Sequence, residues 1–180
     1  MKNLILIGPR SVGKTSVGKE LAKISNKKYV DFDKVVDKKL KGLDKHIKKF
    51  GADSYRKKER KILTDFLKKL KSGTVISVGG GTVASQLHSV SNKNSQDIKK
   101  KGIIIYLCPA KNKKQAIKIL YKRELKRKGN QKLEWISKSY NLRSPIYNKI
   151  KDIKIIVNNK TTKQMAKEIL SILKKHKLIK

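Results

Sequence analysis

Residues 8–15 read Gly-Pro-Arg-Ser-Val-Gly-Lys-Thr, and the segments on either side decide what that stretch means. Upstream, Asn3–Ile7 is a short, continuous apolar run, the signature of a strand buried on both faces. Downstream, 16–25 carries Val17, Leu21 and Ile24 at helical spacing. Strand, glycine loop and helix in that order make a phosphate cradle. Gly8 and Gly13 permit backbone turns that aim successive N–H groups at phosphate oxygens, and the first turn of the helix adds its orphan donors and positive dipole end. Lys14 reaches the β- and γ-phosphates, and the Thr15 hydroxyl is placed to ligate Mg²⁺. The stretch therefore predicts a nucleotide site lined by Gly8, Arg10, Ser11, Val12, Gly13, Lys14, Thr15 and Ser16. The competing reading is an ordinary glycine-rich turn, in which Lys-Thr at this register is coincidence.

The same alternation continues outward. Residues 29–33 read as a second strand ending in two acids, and 34–70 as helical, punctuated by Gly42 and Gly51. A third strand over 74–78 closes on Gly79-Gly80-Gly81. The polar stretch 85–101 reads as a weak helix with a loop, followed by a fourth apolar strand, Gly102–Cys108. A basic helix over 111–128 is broken by Gly129-Asn130, and helix resumes over 133–147 as far as Pro145 permits. A strand over 153–157 and a closing helix over 161–175 complete the chain. Five apolar strands alternating with helices predict an α/β fold: a five-stranded parallel sheet with helices on both faces, a three-layer sandwich of the P-loop NTPase type. With no repeat and no long linker, the 180 residues are expected to form a single domain.

The net charge of +35 raises the question of nucleic acid or an anionic membrane. Composition argues against both. Six of the 48 basic residues are arginines (10, 56, 60, 123, 127 and 143), leaving 42 lysines spread along every helical segment, and no aromatic residues interleave with them. The expectation is a solvated, Lys-biased surface that speeds encounter with anionic ligands. The longest apolar runs are far shorter than the ~20 residues a bilayer needs, and the N-terminus does not resemble a signal peptide. A lone cysteine, Cys108, excludes an internal disulfide and fits a reducing, cytoplasmic setting.

Further candidate residues follow from chemistry. Asp31 and Asp33, at alternate positions on a strand end, are expected to point the same way, towards the crevice where open parallel sheets bind ligands. One acid could orient Mg²⁺ through water and the other accept a proton from an attacking hydroxyl; a helix N-cap is the alternative for Asp33. Gly79, Gly80 and Gly81 let a ligand lie directly against the main chain, or simply make a tight turn. Arg56 and Arg143 stand out because arginine is scarce here. They suggest a planar bidentate partner such as a carboxylate, or structural salt bridges.

Read together, these pieces resemble the shikimate kinase family over nearly the whole chain. The resemblance rests on the 8–18 loop, on Asp31-Phe32-Asp33, and on Gly51 followed by Tyr55-Arg56-Lys57-Lys58-Glu59. It continues through Val75-Ile76-Ser77-Val78-Gly79-Gly80-Gly81 and Arg143-Ser144-Pro145-Ile146-Tyr147. Gluconate kinases share the loop but lack the glycine triplet and the Arg-x-Pro-hydrophobic-Tyr segment. The resemblance implies ATP-dependent phosphorylation of the 3-hydroxyl of shikimate, on the path to chorismate and the aromatic amino acids, by a cytoplasmic monomer. It implies that Asp33 binds the substrate hydroxyls and acts as base, that Arg56 and Arg143 hold the carboxylate, and that Gly79–Gly81 line the pocket. Thr15 and, through water, Asp31 hold Mg²⁺, while Lys14 and a lid arginine serve the phosphates. A substrate-binding insert is expected near 33–60 and a lid near 110–130. The family's lid carries an Arg-Pro pair. Here Arg123 takes the arginine's place with Glu124 where the proline belongs, and Arg127 is the runner-up. Three further readings stay open: another metabolite kinase such as a gluconate-kinase-like enzyme, a nucleotide-binding protein associated with nucleic acid, and a non-catalytic descendant that binds ATP without turnover because the lid arginine is misplaced.

Overall fold

The computed structural model describes residues 2–127, 129 and 131–178. The five apolar runs form strands β1 (Asn3–Ile7), β2 (Lys28–Asp31), β3 (Thr74–Ser77), β4 (Gly102–Cys108) and β5 (Ile153–Ile156). They assemble into one parallel sheet in the order β2-β3-β1-β4-β5, with Leu4 opposite both Val75 and Ile103. Helices α1 (Lys14–Ile24), α2 (Phe32–Leu40), α3 (Leu43–Lys69), α4 (Gly80–Val83), α5 (His88–Lys101), α6 (Lys113–Lys126), α7 (Leu133–Ile150) and α8 (Thr162–Lys175) connect and cover it.

Strand alternation sorts the interior into two cores. Leu4 and Leu6 face one side, packing with Leu21 of α1, Leu120 of α6 and Ile169 of α8. Ile5 and Ile7 face the other, with Phe32 and Val36 of α2, Leu63 of α3 and Ile98 of α5. Helix α7 serves both: Ile136 and Tyr140 enter the first core and Tyr147 the second. Where β1 separates the strands wound to either side, the 8–13 loop emerges at the crevice beyond the strands' C-terminal ends. Cys108 is buried at the end of β4. Among the described residues no helix is long and apolar enough to cross a membrane.

Two segments differ from the sequence expectation. Strand β2 stops at Asp31, and Phe32 already begins α2, because the wholly buried Phe32 and Val36 recur at helical spacing. Asp33 therefore sits in the first turn of a helix rather than on the strand beside Asp31. Helix α7 passes through Pro145 to Ile150. A proline costs an i→i−4 hydrogen bond, but the carbonyl it leaves free belongs to the exposed Asn141, and Tyr147 anchors the last turns by complete burial. Within the expected 85–101 stretch, a short loop leads into helix α5, whose polarity is explained by what it supports. Asn94 Nδ2 donates to Thr82 O at 2.7 Å and Ser95 Oγ to Val83 O at 3.2 Å, satisfying the end of the one-turn helix α4.

Candidate active site

The loop after β1 takes its shape from backbone conformations that side chains rarely adopt: Gly8 (φ 145°), Ser11 (φ 63°) and Gly13 (φ 104°). A Cβ at Gly8 would lie 2.7 Å from Leu107 O, so the loop presses against β4 as only glycine allows. Val12 is wholly buried beneath the loop. Ser16 lies exposed in the first turn of α1. Lys14 folds back so that Nζ donates to Gly8 O and Pro9 O, both at 3.0 Å. Burial lowers its ammonium to about 8, against the pull of Asp33 and Asp31.

Although Asp31 and Asp33 lie on different elements, both face this loop. Asp31 Oδ2 accepts from Thr15 Oγ1 at 3.1 Å and from Tyr29 OH at 3.3 Å. Asp33 packs on the main chain of Gly79, where a Cβ would clash with Oδ1. It is open to solvent yet walled by protein, and that loss of surrounding water raises its carboxyl above the ordinary value. Lys14 opposes the rise; Asp31 and Glu59 add to it.

The glycine triplet is the shared wall of the crevice. Its three missing side chains make room for three different groups: Asp33 at Gly79, Gly8 O and Tyr147 OH at Gly80, and the Arg56 guanidinium at Gly81. Tyr147 OH also donates to Gly80 O at 3.1 Å. Arg56 is held by Glu59, Nη1 to Oε2 at 2.6 Å. Glu59, 1% exposed, also accepts from Tyr55 OH at 2.9 Å and from Thr82 Oγ1 at 2.8 Å. Beyond the triplet opens a cavity of about 370 Å³ lined by Arg56, Arg143, Ser85, Trp135, Lys138 and neighbours. Arg143 stands with its guanidinium 5.9 Å from the Trp135 ring centroid, and its buried Nε has no hydrogen-bond partner among the described residues. Burial lowers its basicity. Two guanidiniums facing one cavity, one with an unmet donor, suit a carboxylate.

The expected lid span contains helix α6, with Ala116 and Leu120 buried in the core; Lys128 and Asn130 of that span lie outside the described residues. The last turn of α6 meets the phosphate loop. Arg123 Nη1 donates to Val12 O at 2.8 Å, and Arg127 Nη1 to Ser11 Oγ at 3.3 Å. Glu124, 1% exposed, pairs with Arg10 Nε at 3.0 Å and accepts from the Ser11 hydroxyl. The structure thus links Asp33, the glycine triplet and Arg56 to the phosphate loop, sets Asp31 against Thr15 and Arg123 against Val12, and puts Arg143 on the adjoining cavity, while Ser16 stays exposed on α1. Glu59, Tyr147, Trp135 and Glu124 complete the site and were not among the candidates. Scarcity is the signal that applies to the two glutamates, since the chain has only 13 acids.

Comparison with known proteins bears on this arrangement. A shikimate kinase of Pasteurella multocida is 29% identical over 175 residues, covering 96% of this chain and 95% of that one. The crystal structure of a shikimate kinase from Aquifex aeolicus superposes with a TM-score of 0.74 at 27% identity, covering 98% of each chain. A shikimate kinase from Acinetobacter baumannii, solved in complex with shikimate, shares the fold with a TM-score of 0.83 at 23% identity, covering 99% of this chain and 96% of that one. A family profile described as shikimate kinase matches residues 10–174, from within the phosphate loop to the last turn of α8. With that span, and with the crevice it encloses, the chain belongs to the shikimate kinase family.

Proposed function

We propose that this protein transfers the γ-phosphoryl group of ATP to the 3-hydroxyl of shikimate, giving ADP and shikimate 3-phosphate. The reading is carried by the glycine triplet, which abuts the phosphate loop at Gly80, the acid Asp33 at Gly79 and the cavity arginine Arg56 at Gly81. A phosphoryl donor and a carboxylate-bearing acceptor held on either side of that wall meet at Asp33.

In this assignment the 8–16 loop and Lys14 bind the phosphates, and the two Lys14 hydrogen bonds to Gly8 O and Pro9 O keep its ammonium at the cradle. Arg56 and Arg143 hold the carboxylate. Asp33 orients the 3-hydroxyl and takes its proton as the new O–P bond forms and the bond from the γ-phosphorus to the bridging oxygen breaks, leaving with ADP. A carboxyl raised by its surroundings is better suited to that transfer than an ordinary one. Catalysis is then mostly positioning and charge stabilisation. Thr15 Oγ1 and Asp31 Oδ2 offer two adjacent hard oxygens, which fits Mg²⁺, an ion that keeps several waters and takes phosphate oxygens rather than a closed protein cage. When bound, Mg²⁺ neutralises phosphate charge. Arg123 belongs to the phosphate side. One kinase domain with a substrate-binding insert near 33–60 and a lid near 110–130, acting as a cytoplasmic monomer, completes the proposal.

The decisive experiment is ADP release from ATP and Mg²⁺ with and without shikimate, with gluconate as control acceptor. Shikimate-dependent turnover is expected. Folded protein that turns over with gluconate alone, or with no acceptor, overturns the assignment.

A further inference from the structure

Glu124 occupies a place where a glutamate is out of keeping with its surroundings. It lies beside a loop built for anions, it is 1% exposed, and its carboxylate touches the loop rather than solvent. Both oxygens engage Arg10 Nε, Oε1 at 3.0 Å and Oε2 at 3.2 Å, and Oε2 also accepts from the Ser11 hydroxyl. The chain then folds over it. Gly129 N donates to Glu124 O at 3.0 Å, and any side chain at Gly129 would displace the carboxylate.

Ser11 explains what this contact does. It holds φ at 63°, the left-handed region that costs a non-glycine residue free energy and that its surroundings can offset. Its neighbours Val12 and Gly13 turn the backbone N–H groups of the cradle, so the conformation of Ser11 sets where those donors point. The Ser11 hydroxyl has two partners, Glu124 and Arg127, and both come from the α6 end of the molecule. On the neighbouring residue the same turn of α6 brings Arg123 onto Val12 O.

We infer that Glu124 is a positioning residue for the nucleotide site: it holds Ser11 in its left-handed conformation, so that the phosphate loop is preformed and Arg123 is fixed beside it. The inference rests on the nucleotide half of the function proposed above and is independent of the acceptor.

Nucleotide affinity tests it directly. ADP binding to the full chain is measured by calorimetry with Mg²⁺ and no acceptor, for wild type, Glu124→Gln, Glu124→Met and Glu124→Ala. Met fills the volume without an acceptor, and Gln keeps one oxygen for Ser11. Met and Ala are made in parallel so that loss of fold in one leaves the other. Expected is a rise in Kd of about tenfold for Met or Ala, with Gln within about threefold of wild type. The second arm places Ser11→Gly in the Glu124→Met or Glu124→Ala background. Glycine adopts φ 63° freely and keeps the backbone donors, so the double variant recovers most of the lost affinity. In turnover assays the loss is expected in the KM for ATP and not in the KM for the acceptor. Wild-type affinity in Met and Ala overturns the inference, as does a double variant no better than the single one. Tight ADP binding without shikimate turnover sinks the acceptor assignment and leaves this test intact, whereas a wild type that binds no ADP refutes both.

Discussion

Arg143 and Glu124 show how far single residues can be read. Arginine is rare here, six in 180 residues, and the scarcity that marks Arg143 out as a ligand-holding group agrees with its place on the cavity wall. The same logic extends to acids, but a glutamate inside Lys-rich helices such as 57–61 or 122–127 reads as one more solvated charge. Only packing shows that Glu59 and Glu124 are buried. Removal of a desolvated charge partner costs about 2–5 kcal/mol, so Arg143→Ala is expected to raise the KM for shikimate by at least an order of magnitude while the KM for ATP stays within about twofold. Initial rates with each substrate varied in turn measure both. The single tryptophan, Trp135, stands against Arg143 and 42% exposed at the same cavity, so its fluorescence offers an independent readout of acceptor binding. Equal rises in the two KM values would place Arg143 elsewhere in the reaction.

Elements were legible wherever apolar periodicity set them. Strands β1 and β4 and helix α8 follow their hydrophobic patterns to within a residue. The misread segments are those where something other than periodicity decides. At 31–33 a strand-like pair of acids is divided between strand and helix by burial of Phe32. Helix α5 reads from sequence only as a weak helix, because Ile98 is its one buried apolar position and the other buried ones, Ser91, Asn94 and Ser95, face backbone carbonyls rather than hydrocarbon. That function makes a prediction for the element. Asn94→Ala leaves Thr82 O without its 2.7 Å donor in a buried setting, at a cost of about 1–3 kcal/mol. A lower denaturant midpoint with unchanged slope is the expected result. Because α4 begins within the glycine triplet, acceptor binding should weaken more than ATP binding; an unchanged midpoint would mean that water replaces the amide without loss.

At the scale of the molecule, a surplus of 35 positive charges opposes compaction through self-repulsion, and surface ion pairs such as Lys160–Glu168 at 2.6 Å offset little of it. Stability therefore rests on the two cores, whose separation by the sheet was implicit in the alternation of β1 and β4. Because the cores share few side chains, paired substitutions across the sheet should add. Leu63→Ala with Ile169→Val is expected to sum to within about 0.5 kcal/mol. Leu21→Ala with Ile169→Val, both in the core between α1 and α8, should deviate by more. Equilibrium unfolding of the single and double variants measures this, and strong coupling across the sheet would show that its two sides are not independent. Helix α7 is the exception, since it places side chains in both cores, with Arg143 between them and Trp135 one residue before the first. Tension on either side of the sheet reaches the acceptor cavity along that one rod, so drift in distant core positions can retune substrate affinity without touching the site, provided it acts through α7.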